Sequence, residues 1–72
     1  MIKRFKVYNL ECAHCAAKME REIKKMSSIN DAEVNFMLQS IVVDFKDENI
    51  DAEIGKIQKI CKKIEPDCVV RA

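Results

Sequence analysis

Cys12-Ala13-His14-Cys15 is the stretch of this chain best equipped for chemistry. Two thiols at C-x-x-C spacing can close on one soft metal ion, or on each other as a disulfide. They stand between a strand-like run and the start of an amphipathic helical run. At a helix start, free backbone N–H groups and the positive end of the dipole favour the thiolate. The thiolate is both metal ligand and redox nucleophile, so the motif admits metal carriage and dithiol redox chemistry. A third reading makes both cysteines small buried hydrophobes. C-x-x-C at a helix start is an uncommon way to fill a core.

The neighbours of the motif add donors. Glu11 puts a carboxylate beside Cys12, and His14 puts an imidazole between the thiols. Glu11 reads equally well as a solvated loop acid. His14 reads as an exposed or hydrogen-bonding side chain rather than a ligand. Cys61 lies on a helical apolar stripe and Cys68 in a closing strand, so both read as core. Met19, Met26 and Met37 could suggest copper, but the first two are at core spacing and a lone Met more often packs than ligates. Lys18, Arg21 and Lys25 fit a docking surface and a solvated helix face equally.

The elements that must position these groups follow from hydrophobic period. Ile2 to Tyr8 alternates as a strand, with Phe5 and Val7 inward and Arg4, Lys6 and Tyr8 outward. Asn9, Leu10 and Glu11 form a loop. From Ala13 or Cys15 to about Met26 the period is helical, with Ala16, Met19, Ile23 and Met26 on one stripe. Lys18/Glu22 and Glu20/Lys24 stand at i,i+4. Ser27, Ser28 and Asn30 end that helix. Ala32 to Phe36 and Ile41 to Phe45 read as strands joined by a hairpin at Met37 to Ser40, without the usual glycine. A polar stretch, Asp47-Glu48-Asn49, leads to a second helix from Asp51 to Lys63. Its stripe is Ile54, Ile57, Cys61 and Ile64, with acids in the first turn and lysines in the last. Pro66 stops it, and Asp67 to Arg71 reads as a last strand. The order is βαββαβ. Right-handed crossovers then set both helices on one face of a four-stranded antiparallel sheet, an α+β fold.

Composition bounds the function. Seventy-two residues at 49% hydrophobic make one domain over residues 1–72 with one small core. A net charge of +1 gives no bulk attraction to nucleic acid or to an anionic membrane. No apolar run approaches the ~20 residues that span a bilayer, and no signal-peptide segment follows Met1. A cytoplasmic setting without membrane insertion is the expectation. Met1 precedes the first strand and Ala72 follows the last, which fits a natural small protein and a trimmed fragment alike.

Asn9-Leu10-Glu11-Cys12-Ala13-His14-Cys15-Ala16, the βαββαβ order and Val34-Asn35-Phe36 together resemble the heavy-metal-associated domain family. That family comprises metallochaperones and amino-terminal domains of heavy-metal P-type ATPases. The resemblance implies a ferredoxin-like fold and a non-catalytic domain in which Cys12 and Cys15 bind the metal. Its copper carriers typically place Met and then Thr or Ser before the first cysteine, where this chain has Leu10-Glu11. Its zinc/cadmium domains often place Asp where this chain has Glu11. Its copper members often have Tyr, Lys or Phe in the loop holding Pro66, whereas Glu65-Pro66 resembles the divalent-metal branch. Glu65 and Asp67 read as tuning groups or as solvated loop acids.

The expectation is therefore one Zn2+, Cd2+ or Pb2+ held by Cys12 and Cys15, with Glu11 as an oxygen donor. A third donor suits these ions and is superfluous for two-coordinate Cu+, the alternative cargo. The partner implied is the membrane part of a metal-transporting ATPase or another metal-binding domain, not nucleic acid. A thiol–disulfide oxidoreductase is the rival class. It would need Pro or an aromatic near the cysteines and further elements after the Pro66 loop. An RNA-binding sheet would need more exposed aromatics than Tyr8.

Overall fold

The computed structural model describes residues 1–46 and 50–71. Asp47-Glu48-Asn49 and Ala72 lie outside the described residues, and with them the polar stretch expected before the second helix. The elements are β1 (Ile2–Tyr8), α1 (Ala13–Lys24), β2 (Ile29–Asn35), β3 (Ser40–Phe45), α2 (Ile50–Ile64) and β4 (Val69–Arg71). The strands form one antiparallel sheet in the order β2-β3-β1-β4. Both helices lie on one face of it, the ferredoxin-like arrangement expected from the sequence.

Register explains which residues fill the core. Val34, Ile41 and Phe5 are direct cross-strand neighbours, as are Val7 and Val70. Side chains in register share a face, so these point together at the helices. Ala16, Met19 and Ile23 of α1 and Ile57 and Cys61 of α2 meet them, all at 3% exposure or less. Phe5 and Phe45 contact edge to face at 6.2 Å. Each fully buried Ile or Phe is worth roughly 1.5–3 kcal/mol, so the core is built from apolar burial alone. Met26, expected on the α1 stripe, is half-buried past the end of the helix and packs against the core.

Three boundaries differ from the sequence reading by two residues or more. α1 stops at Lys24 because the chain tightens there: the N–H groups of Lys25 and Met26 donate to the carbonyls of Glu22 and Ile23. β2 begins at Ile29 rather than Ala32. An irregularity between Ile29 and Asp31 inserts a residue, and two exposed residues then separate buried Ile29 from buried Ala32. That bulge breaks the alternation by which a strand is recognised. β4 is shorter than expected because Pro66-Asp67 form a turn, closed by the Cys68 N–H donating to the Glu65 carbonyl at 2.9 Å.

The helices also cover both edge strands. Glu20 accepts from the Val34 N–H of β2 at 2.9 Å, and Gln58 donates to the Val70 carbonyl of β4 at 3.1 Å. These bonds occupy edge groups that would otherwise invite a foreign strand. Glu20 also pairs with Lys24 at 3.8 Å, as spacing predicts. Glu22 takes Lys25 at 3.4 Å instead of Lys18.

Candidate metal centre

The cysteine loop begins where β1 ends. Asn9 adopts φ 64, a left-handed conformation that Asn tolerates, and turns the chain out of the sheet. Leu10 then drives its side chain into the core at 2% exposure, anchoring the loop from below. Cys12 follows as the N-cap of α1, with extended φ −127 and ψ 116. Its sulfur accepts from the Cys15 N–H at 3.2 Å, taking the place of the usual capping oxygen. Helix geometry thus brings the two cysteines together, and the dipole favours negative charge on the first. All four cysteines are free thiols.

The pair divides its protons unevenly. Hydrogen bonds from the Cys15 side chain and backbone lower the Cys12 pKa below its ordinary 9.0. Cys15 is pushed up to about 12, first by its bond to Cys12, then by desolvation and by a hydrogen bond with Glu65. The pair thus biases negative charge toward Cys12 and leaves the proton on Cys15. Cys12 is the more readily ionised thiol of the pair.

Glu65 comes from the turn after α2. Its N–H donates to the Cys61 carbonyl at 2.8 Å and its carbonyl accepts from Cys68 N–H at 2.9 Å, so its backbone is fixed on both sides. Its carboxylate reaches Cys15 and adds negative field at Cys12. The sequence offered this acid as a tuning group or a solvated one, and the fold brings it to the thiols. Glu11 and His14 are exposed. Among the described residues no group of three or more His, Cys, Asp or Glu is already arranged to hold an ion. The donor set in place is two soft sulfurs with carboxylates at the margin. It suits a soft or borderline cation and leaves its shell open to an incoming ligand.

Cys61 and Cys68 are fully buried. Burial pushes the Cys61 thiol up to about 12 and raises Cys68 as well. They behave as the core residues the sequence expects. Gln39, which the sequence did not single out, joins the site from the β2–β3 hairpin. Its side-chain oxygen accepts from the Leu10 N–H at 3.2 Å and its nitrogen donates to the Leu10 carbonyl at 2.7 Å. The absence of glycine from that hairpin was the only sequence signal near it.

Comparison with known proteins agrees with the fold. The cadmium, zinc and cobalt-transporting ATPase of Helicobacter pylori is 26% identical over 65 residues, covering 90% of this chain and 9% of that protein. The ATPase of the same description from Bacillus subtilis is 32% identical over 62 residues, covering 86% and 9%. The chain thus spans about a tenth of the length of these relatives. Among solved structures, the amino-terminal domain of a potential copper-translocating P-type ATPase from Bacillus subtilis, in its Cu(I)-loaded state, superposes with a TM-score of 0.75 at 21% identity. That match covers 97% of this chain and 82% of the other. The CopZ metallochaperone gives 0.72 at 17% identity, covering 97% and 98%. Such identities speak to the fold alone. No helix among the described residues is long and apolar enough to cross a membrane. A model of the heavy-metal-associated domain matches residues 4–67, and the chain belongs to that family of non-catalytic domains that bind heavy-metal ions.

Proposed function

We propose that residues 1–72 form one cytoplasmic domain that binds a single zinc, cadmium or lead ion through Cys12 and Cys15. It hands that ion on in heavy-metal transport or detoxification. The setting is the amino-terminal part of a P-type ATPase or a stand-alone chaperone. The partner is the membrane part of such an ATPase or another metal-binding domain. The observation that carries the reading is the Cys12 sulfur capping α1 under the Cys15 N–H, which keeps the two thiols together at the helix start.

The steps follow from the protonation pattern. Cys12, already biased to the thiolate, takes the cation first. Capture then displaces the Cys15 proton, because a ligating thiol must ionise. With two sulfurs bound, the shell has room for an acceptor's thiolate before either cysteine leaves. A closed four-ligand structural site would not allow this.

The preference for divalent ions rests on carboxylates. Glu65 raises the Cys15 pKa, and Glu11 adjoins Cys12 in the chain. An anionic oxygen favours zinc, cadmium or lead and adds nothing to linear Cu(I). The relatives named for cadmium and zinc transport support the same choice. A Cu(I) carrier is the second reading, supported by a donor pair of two soft sulfurs, which satisfies a linear ion. Competition titration of the reduced protein with zinc, cadmium, lead and Cu(I) separates them. Relative to glutathione-buffered competitors, the divalent reading requires zinc, cadmium or lead to be retained. Retention of Cu(I) alone supports the second.

A further inference from the structure

We propose that Gln39 is a positioning residue for metal capture: its side-chain amide clips both backbone groups of Leu10 and so sets the height of Cys12 over the sheet. The inference rests on Cys12 and Cys15 being the ligands.

Past Tyr8 the loop has left the sheet and has no strand partner. The Gln39 side chain replaces one. Its oxygen accepts from the Leu10 N–H at 3.2 Å, and its nitrogen donates to the Leu10 carbonyl at 2.7 Å. That nitrogen's other hydrogen goes to the Phe36 carbonyl at 2.8 Å. One oxygen thus meets one N–H, and two N–H bonds meet two carbonyls. Turning the amide over would oppose donor to donor and acceptor to acceptor, so only one orientation satisfies all three.

The backbone of Gln39 is committed as well. It sits at φ 51, a conformation that non-glycine residues rarely adopt, and its carbonyl accepts from the Val7 N–H at 2.9 Å. A residue with a long amide therefore occupies a position where glycine would be easier. The second side of the loop is tied too: Asn9 donates from its side chain to the Asp67 carbonyl at 3.2 Å. With the Leu10 side chain buried, the residue two before Cys12 is held by its side chain below and by its backbone at the flank. Ligand placement before the ion arrives is what such supporting bonds contribute.

Hydrogen exchange and zinc titration on reduced protein test this. In the metal-free wild type the Leu10 amide should be protected already. Exchange there at the rate of an unstructured peptide would overturn the proposal without any variant. Gln39→Gly suits φ 51 and removes the clip. Gln39→Glu keeps the length and turns two donors into an oxygen facing two carbonyls. Both variants should lose Leu10 protection and bind zinc roughly tenfold more weakly, the lower end for outer-shell support of a metal site. The Gln39→Gly thermal midpoint should stay close to that of the wild type. Zinc affinity within about twofold of the wild type despite lost Leu10 protection would overturn the positioning role. Cys12→Ser/Cys15→Ser, titrated in parallel, checks the underlying reading. Tight zinc binding by that double variant would sink the ligand assignment itself, a failure distinct from that of the clip.

Discussion

Cys15 holds Cys12 through its backbone: its N–H donates to the Cys12 sulfur at 3.2 Å, and its side chain adds to the lowering of the Cys12 pKa. One residue thereby lowers the pKa of its partner while its own is raised to about 12. Negative charge is thus favoured on Cys12 and a proton is kept on Cys15, an arrangement suited to taking a cation and releasing an acid.

Metal affinity should therefore rise with pH. The Cys15 thiol, held up to about 12, keeps its proton throughout the neutral range and must lose it on binding. Each proton released steepens the apparent affinity by about tenfold per pH unit. Zinc titration by calorimetry in buffers of different ionisation enthalpy should show release of at least one proton near pH ~7. A pH-independent affinity would mean that Cys15 does not ligate.

Folding stability should fall at high pH, by a separate route. Burial raises the Cys61 thiol from 9.0 to about 12 in the folded chain. Above 9.0 the unfolded chain sheds this proton while the folded chain keeps it. The stabilising contribution is thus complete below pH 9.0 and is lost as pH rises through about 12. Denaturant unfolding across this window should show the decline, and Cys61→Ala should flatten it. That substitution should cost about 1 kcal/mol at neutral pH and leave metal binding unchanged. An identical alkaline decline in Cys61→Ala would assign the effect to other groups.

The two carboxylates should separate the divalent ions from copper. Glu11→Gln and Glu65→Gln each remove an anion without changing shape. If either ligates, zinc and cadmium affinity should fall by about tenfold or more, the worth of one charged hydrogen-bonding group. Cu(I) affinity should hardly move. Glu65→Gln should also release the Cys15 proton more readily, because a group that raises its pKa is gone. Equal small effects on every metal would make both acids spectators of selectivity.

Much of this was legible in the sequence where one physical pattern dominated. β1 alternates from Arg4 to Tyr8, and α2 carries an apolar stripe with acids at its start and lysines at its end. Their extents read off to within a residue. β2 hid its first residues behind a bulge that sets Asn30 and Asp31 side by side on the surface. The thiol pair was visible because both partners lie within one helical turn. Glu65 reaches Cys15 from the other half of the chain, and acids in turns ordinarily face water. Gln39 acts through its side chain on backbone groups, which leave no mark in residue types.

Metal-free protein should fold cooperatively, since its core is closed by Phe5, Phe45, Met19, Ile23 and Ile57 without any ligand from the loop. Circular dichroism in chelator should show the mixed helix and strand content of the fold and a single thermal transition. A disordered spectrum that recovers on metal addition would mark a structural site instead.

The ligand assignment is most directly tested by stoichiometric metal titration of the reduced wild type beside Cys12→Ser/Cys15→Ser. The wild type should bind one ion per chain. The double variant should bind none tightly while retaining the wild-type circular dichroism spectrum. Retained tight binding by the folded double variant would contradict the account and move the site elsewhere in the chain.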